Sequence, residues 1–199
     1  MSIRANGVQV DSPAAWDDLR VPINAIKLGG VKDPDFEQLK DDGSSSTGVF
    51  TYAFDSSLEE EVFFVAQIPH EWKLGTALRP HVHWVPTTNG TAGQTVSWGL
   101  EYTFAELGEV FPDTTILYGD SIAVGDITTA FTHSLTPFGE IDMTSVDKVS
   151  SMLVCRLFRD ATGDGGTDDY TSDAALLEFD IHYQIDSNGS DQQYSKSFK

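Results

Sequence analysis

Two histidines one residue apart, in Arg79-Pro-His81-Val-His83-Trp84, carry the most chemical information in this sequence. On an extended strand a His-x-His pair sets both imidazoles on one face, about 6.5 to 7 Å apart along the chain, within reach of one transition-metal ion. The same spacing suits two imidazoles that hydrogen-bond across a strand or a subunit contact. A second ligand pattern is the loop Asp160-Ala-Thr-Gly-Asp164-Gly-Gly-Thr-Asp168-Asp169, where Asp160, Asp164 and Asp168 offer carboxylates to Ca²⁺. Its spacing departs from an EF-hand loop, and a Gly- and Asp-rich stretch is more often a solvated connection. The single cysteine, Cys155, stands inside Leu153-Val-Cys-Arg-Leu-Phe158, the setting of a buried structural thiol rather than a nucleophile. No Gly-x-Ser-x-Gly elbow, P-loop or dinucleotide glycine pattern is present. The expectation is a protein without catalytic residues, with no cofactor beyond a transition metal or calcium ion as open alternatives.

Gly75 precedes His81 by five intervening residues, so this stretch resembles the first half of the cupin metal motif. That resemblance implies a metal-dependent enzyme with His81 and His83 inside a barrel. Cupins place a Glu four or five residues beyond the second His; Thr87 and Thr88 stand there, and neither His133 nor His182 lies in a second motif. The pair is also similar to the His-x-His of phage fibre and spike tips, where three chains surround one iron, which implies three copies meeting on an axis. Strand alternation opposes the internal site: Val82 and Trp84 take the core-facing phase, leaving His81 and His83 on the other face. The histidines are therefore read as a hydrogen-bonded pair near a subunit contact.

The elements that hold these residues are strands. Period-two alternation, broken by Gly, Pro, Asp, Asn and Ser clusters, predicts strands over 49–54, 62–68, 78–85 and 96–104. Further strands are expected over 114–118, 127–135, 149–158 and 176–185, the seventh covered on both faces because it is almost continuously apolar. The expected core includes Phe50, Tyr52, Phe64, Val82, Trp84, Trp98, Leu100, Tyr102, Leu153, Phe179 and Ile181. Eight strands in about 140 residues suit an all-β, eight-stranded jelly-roll sandwich over residues 47–186, with an up-and-down barrel as the rival topology.

Residues 1–46 differ. Short apolar pieces interrupted by Pro13, Pro22, Gly29, Gly30 and Pro34 read as an extended N-terminal arm, with one or two helical turns over 35–40. Trp16, Ile23, Ile26 and Phe36 would otherwise be wet, so they are expected to anchor the arm on the domain or on a neighbouring subunit. Asp41-Asp-Gly-Ser-Ser-Ser46 reads as the hinge, and residues 187–199 as a polar C-terminal tail. Trp16 and Trp72 are expected at the surface or in a contact.

Across 199 residues, 31 Asp and Glu against 12 Lys and Arg give a formal net charge of −19. That balance opposes direct binding to nucleic acid or to an anionic membrane surface. One cysteine excludes an intrachain disulfide framework. No stretch approaches a membrane span or a signal-peptide core, so synthesis in a cytoplasm without a signal peptide is expected.

Several segments together resemble a widespread group of tailed-phage proteins: Trp16-Asp-Asp-Leu-Arg-Val-Pro22, Lys27-Leu-Gly-Gly30, Gly48-Val-Phe-Thr-Tyr-Ala-Phe54, Pro80-His-Val-His-Trp84, and Leu177-Glu-Phe-Asp-Ile-His-Tyr-Gln-Ile-Asp186 with Gly189-Ser190. The resemblance spans most of the chain and implies a setting rather than a reaction: a virion structural protein of capsid decoration, neck or tail. It implies self-assembly as a homotrimer or ring, with other virion proteins as partners. A cupin-like enzyme using His81 and His83, and a host-surface or glycan-binding module, remain the alternatives.

Overall fold

A computed structural model describes residues 15–119 and 125–196. Among these residues eleven strands form two antiparallel sheets: β1 (Ala15–Pro22), β2 (Lys27–Leu28), β3 (Asp35–Lys40), β4 (Val49–Phe54), β5 (Glu61–Gln67), β6 (Arg79–Pro86), β7 (Trp98–Ala105), β8 (Thr115–Tyr118), β9 (Ser134–Pro137), β10 (Met152–Arg159) and β11 (Ala174–Ile185). One sheet runs β3-β4-β11-β6-β9, with β1 also paired to β11; the other runs β2-β5-β10-β7-β8. The chain is thus an all-β sandwich. No helix among the described residues is long and apolar enough to cross a membrane.

The long strand β11 organises the first sheet. Along one side it pairs with β6, while the other side is shared by β4 at Ala174–Ala175 and by β1 from Glu178 to Ile185. A register shift between Leu176 and Glu178 marks a bulge, which bends the strand where its partners change. Alternating side chains fill the space between the sheets: Phe54, Trp72, Trp84, Trp98 and Phe179 are fully buried. Phe54 meets Trp98 edge-on at 5.0 Å, and Phe64 lies 4.8 Å from Phe179. The buried Trp84 indole N–H donates to Thr136 Oγ1 at 3.0 Å.

Several expectations need correction. Asp35–Lys40 is a strand rather than helical turns, because six residues gain more by pairing with β4 than by nucleating an isolated helix. Of the expected strand 127–135 only the last two residues are in one, β9 running Ser134–Pro137. Phe131 takes φ 62°, and the preceding residues bond to a facing loop, with Gly90 N–H on the Ile127 carbonyl and Phe131 N–H on the Pro86 carbonyl. Ser150 at φ 64° delays β10 to Met152, and Val154 is exposed, so this strand is not covered on both faces. Trp72 is fully buried instead of exposed, its indole donating to the Thr76 carbonyl at 3.2 Å. Phe50 is exposed, while Tyr52 and Tyr102 are only half-buried against the core.

Residues 15–40, expected as an arm laid across the sandwich, supply three strands: β1 on β11, β2 on β5 and β3 on β4. The expected hinge is the connection between the hairpin strands β3 and β4, where the Asp42 carboxylate accepts backbone N–H bonds from Ser44, Ser45 and Ser46. After β11, Lys196 turns back into the protein and donates to the Trp72 carbonyl at 2.9 Å. Residues 1–14 of the expected arm and 197–199 of the expected tail lie outside the described residues.

Candidate functional site

Four of the chain's five histidines converge on the outer face of the β1–β11–β6–β9 sheet. Antiparallel register lays out the rows: Asp18, His182 and Arg79 in one; Arg20, Asp180, His81 and Pro137 in the next; then Pro22, Glu178, His83 and Leu135. Val82 and Trp84 point the opposite way into the core, as alternation requires. His81 and Asp180 are buried on the outer face, beneath their neighbours.

Asp180 is the hub. One carboxylate oxygen pairs with His81 Nε2, and the other lies 3.3 Å from His83 Nε2. His83 Nδ1 is 2.8 Å from His133 Nε2, contributed by the loop before β9. The His182 ring sits 4.2 Å from that of His81, and its Nε2 lies 3.0 Å from Asp18 Oδ1. Burial by itself would raise the Asp180 carboxyl; hydrogen bonds from His81 and His83 outweigh it and hold the group down at about 2. The carboxylate is therefore ionised across the physiological range.

Neighbouring cations are already paired. Arg20 donates to both carboxylate oxygens of Glu178 at 2.7 and 2.6 Å, and Arg79 pairs with Glu140 at 2.8 Å while its guanidinium covers the Trp16 ring at 4.6 Å. A surface hollow of about 280 Å³ opens beside His81 and His182, floored by Pro80, Pro137 and Phe138. One ligand atom from each of His81, Asp180 and His182 lies within 4.8 Å of the others, the spread of a metal tripod before closure.

Of the six residues Asp18, His81, His83, His133, Asp180 and His182, the sequence pattern singled out only His81 and His83. Asp180 and His182 stand in the outward phase of the last strand, a readable signal, but their meeting with His81 depends on β11 pairing with β6. His133 and Asp18 come from a loop and from β1, where no local pattern marks them. His83 belongs to the cluster through Asp180 and His133, outside the tripod.

Asp160, Asp164 and Asp168 do not gather around one point. Asp160 is buried and accepts the backbone N–H groups of Asp164, Gly165 and Gly166 and the Ser97 hydroxyl. Asp168 is taken by Arg159, which also donates to the carbonyls of Phe54, Tyr170 and Ser172. These bonds knot the loop from within, and Asp160 and Asp164 gather instead with Glu59, one carboxylate oxygen of each lying within 4.8 Å of the others. The acidic run Glu59-Glu60-Glu61 is also engaged: Glu59 and Glu61 grip Arg156, and Glu60 accepts the Asp55 N–H at 2.8 Å.

Of the expected contact residues, Ile23 and Ile26 pack against the chain's own core, whereas Trp16 and Phe36 are exposed. Phe36 stacks on Phe50 at 5.6 Å and lies 5.1 Å from Tyr52. No protein-family model matches this chain, and no curated protein matches it.

Proposed function

We propose that this protein is a structural assembly subunit, a jelly roll that joins copies of itself into a homotrimer or larger ring within a phage virion. The observation that carries the reading is an overhang of the core face. Phe50, Tyr52 and Phe54 alternate toward the interior, yet only Phe54 is fully covered and Tyr52 is half-buried; Phe50 is 36% exposed, and Phe36 beside it on the edge strand β3 is 58% exposed. An apolar surface built as core and left uncovered favours a partner that completes it.

A second apolar patch supports the ring. Val65 and Val154, neighbours across β5 and β10, are 56% and 42% exposed on the outer face of the other sheet. Two different patches on opposite sheets suit head-to-tail contacts, which close into rings when the rotation permits. The strand order supports the jelly roll: β4-β11-β6-β9 faces β5-β10-β7-β8, so most connections between successive strands cross from sheet to sheet. Strands β1, β2 and β3 extend that frame. The resemblance to tailed-phage proteins supplies the virion setting, whether capsid decoration, neck or tail, and the net charge of −19 keeps free subunits apart until a specific patch engages.

The cupin-like alternative requires histidines between the sheets, and His81 and His83 lie on the outer face. The glycan-binding alternative would use an exposed aromatic platform; Trp16 is exposed but is stacked against Arg79. Sedimentation velocity of the wild type and of the double variant Phe36→Ser/Phe50→Ser tests the assembly reading. The wild type should sediment as an oligomer and the folded double variant as a smaller species. A monomeric wild type, or an oligomer indifferent to both changes, would overturn it.

A further inference from the structure

We propose that His81, Asp180 and His182 bind one divalent first-row transition-metal ion on the outer face of the β1–β11–β6 sheet. Two imidazoles and a carboxylate form a mixed nitrogen and oxygen donor set suited to Zn²⁺ and its neighbours, and unsuited to Ca²⁺, which takes six or more oxygens. Donors around a tetrahedral ion stand about 3.3–3.6 Å apart, as ligand distances of about 2.0–2.2 Å require, so entry of an ion needs His81 and Asp180 to part from their direct contact and the whole set, now within 4.8 Å, to adjust by small side-chain rotations.

The surroundings of each ligand match what a metal site needs. Metal-bound histidines are oriented by a hydrogen bond at the ring nitrogen that does not ligate. His81 Nδ1 faces the Arg79 carbonyl at 3.5 Å, which directs Nε2 toward Asp180. Asp18 engages His182 Nε2 at 3.0 Å, which leaves Nδ1 for the ion. Asp180 is further held by His83 at 3.3 Å, so its second oxygen is fixed while the first faces His81. Arg20 and Arg79, the cations that stand in these rows, are paired with Glu178 and Glu140 and do not compete for the Asp180 carboxylate.

Binding replaces the proton shared between His81 Nε2 and Asp180 with the ion, and that proton leaves to solvent. No bond other than these coordination bonds forms, and no electron is transferred. The adjoining hollow admits a water, or a donor from a docked neighbour, at the remaining position. The site stands independently of the assembly reading, since none of its three ligands belongs to the overhang or to the Val65 and Val154 patch.

Isothermal titration of the full, chelator-stripped chain with Zn²⁺ alone tests the proposal, with thermal unfolding as a second readout because an ion bound only to the native state raises its melting temperature. One ion per chain is expected. His182→Gln, a change at a half-exposed position, should weaken binding about tenfold or more, and Asp18→Asn should weaken it about tenfold through loss of the orienting bond. His70→Gln, remote from the cluster, should bind as the wild type does. Asp180→Asn should abolish binding if it folds; if it does not, His182→Gln carries the test alone. Absence of stoichiometric binding, or binding unchanged in His182→Gln, would overturn the proposal. So would binding that is lost instead in Glu59→Gln or Asp164→Asn, two of the three acidic groups that cluster at the other end of the sandwich.

Discussion

Asp180 on β11 lies directly opposite His81 on β6, and the two buried side chains meet through a hydrogen bond on the outer face of the sheet. The relationship costs the fold something, since a carboxylate removed from water must be repaid by specific donors. His81 and His83 supply them, which ties the two central strands of this sheet through side chains as well as through the backbone ladder.

Replacing Asp180 with Ala should therefore destabilise the apo-protein by about 1.5–3 kcal/mol, the range for hydrogen bonds involving a charged group. Urea unfolding of metal-free wild type and variant measures this directly. A loss of only a few tenths of a kcal/mol would mean that the carboxylate is a passive surface group.

Gly99 occupies the strand position beneath Phe158. A Cβ there would fall 2.0 Å from the Phe158 ring, a distance no side chain tolerates. Gly99→Ala should cost about 1–3 kcal/mol as an overpacking change. Phe158→Leu in the same chain should recover part of that loss, because the clash is with the ring. Without such recovery, the glycine would matter for its backbone and not for the aromatic above it.

Cys155 pairs with Phe64 and Tyr102 across β5 and β7 and is buried; burial pushes its thiol up to about 12 from an ordinary value of 9.0. The sign follows from linkage: the folded state favours the neutral thiol, so its contribution is whole below pH 9 and is lost as pH rises from 9 toward 12. Wild-type stability minus that of Cys155→Ala should therefore fall over this window, by up to about 1.4 kcal/mol per pH unit. At pH 8 the native thiol should resist a thiol reagent and react only on unfolding. Fast labelling of the folded protein would contradict its burial.

Much of the sandwich was legible because alternation reports a half-buried strand directly: β4 and β8 fall close to their expected bounds, and Val82, Trp84, Trp98 and Leu100 are in the core. Elsewhere the local pattern was silent or misleading. Asp35–Lys40 has no strong strand composition and becomes one only because β4 offers it a ladder. Phe50 has the phase of a core residue, but phase cannot reveal where the opposing sheet ends. His81 and His83 were visible as a pair. Their partners, on a strand almost a hundred residues later, were not, since pairing between distant strands leaves no trace in local spacing.

The assembly claim is tested most directly by mixing two variants, one with the overhang disabled (Phe36→Ser/Phe50→Ser) and one with the opposite patch disabled (Val65→Lys/Val154→Lys). A head-to-tail contact leaves one intact pairing between them. Native mass spectrometry should show each variant alone as a monomer, the wild type as a closed oligomer, and the mixture as a one-to-one heterodimer. A wild type that stays monomeric, or a mixture in which no heterodimer appears, would contradict the account.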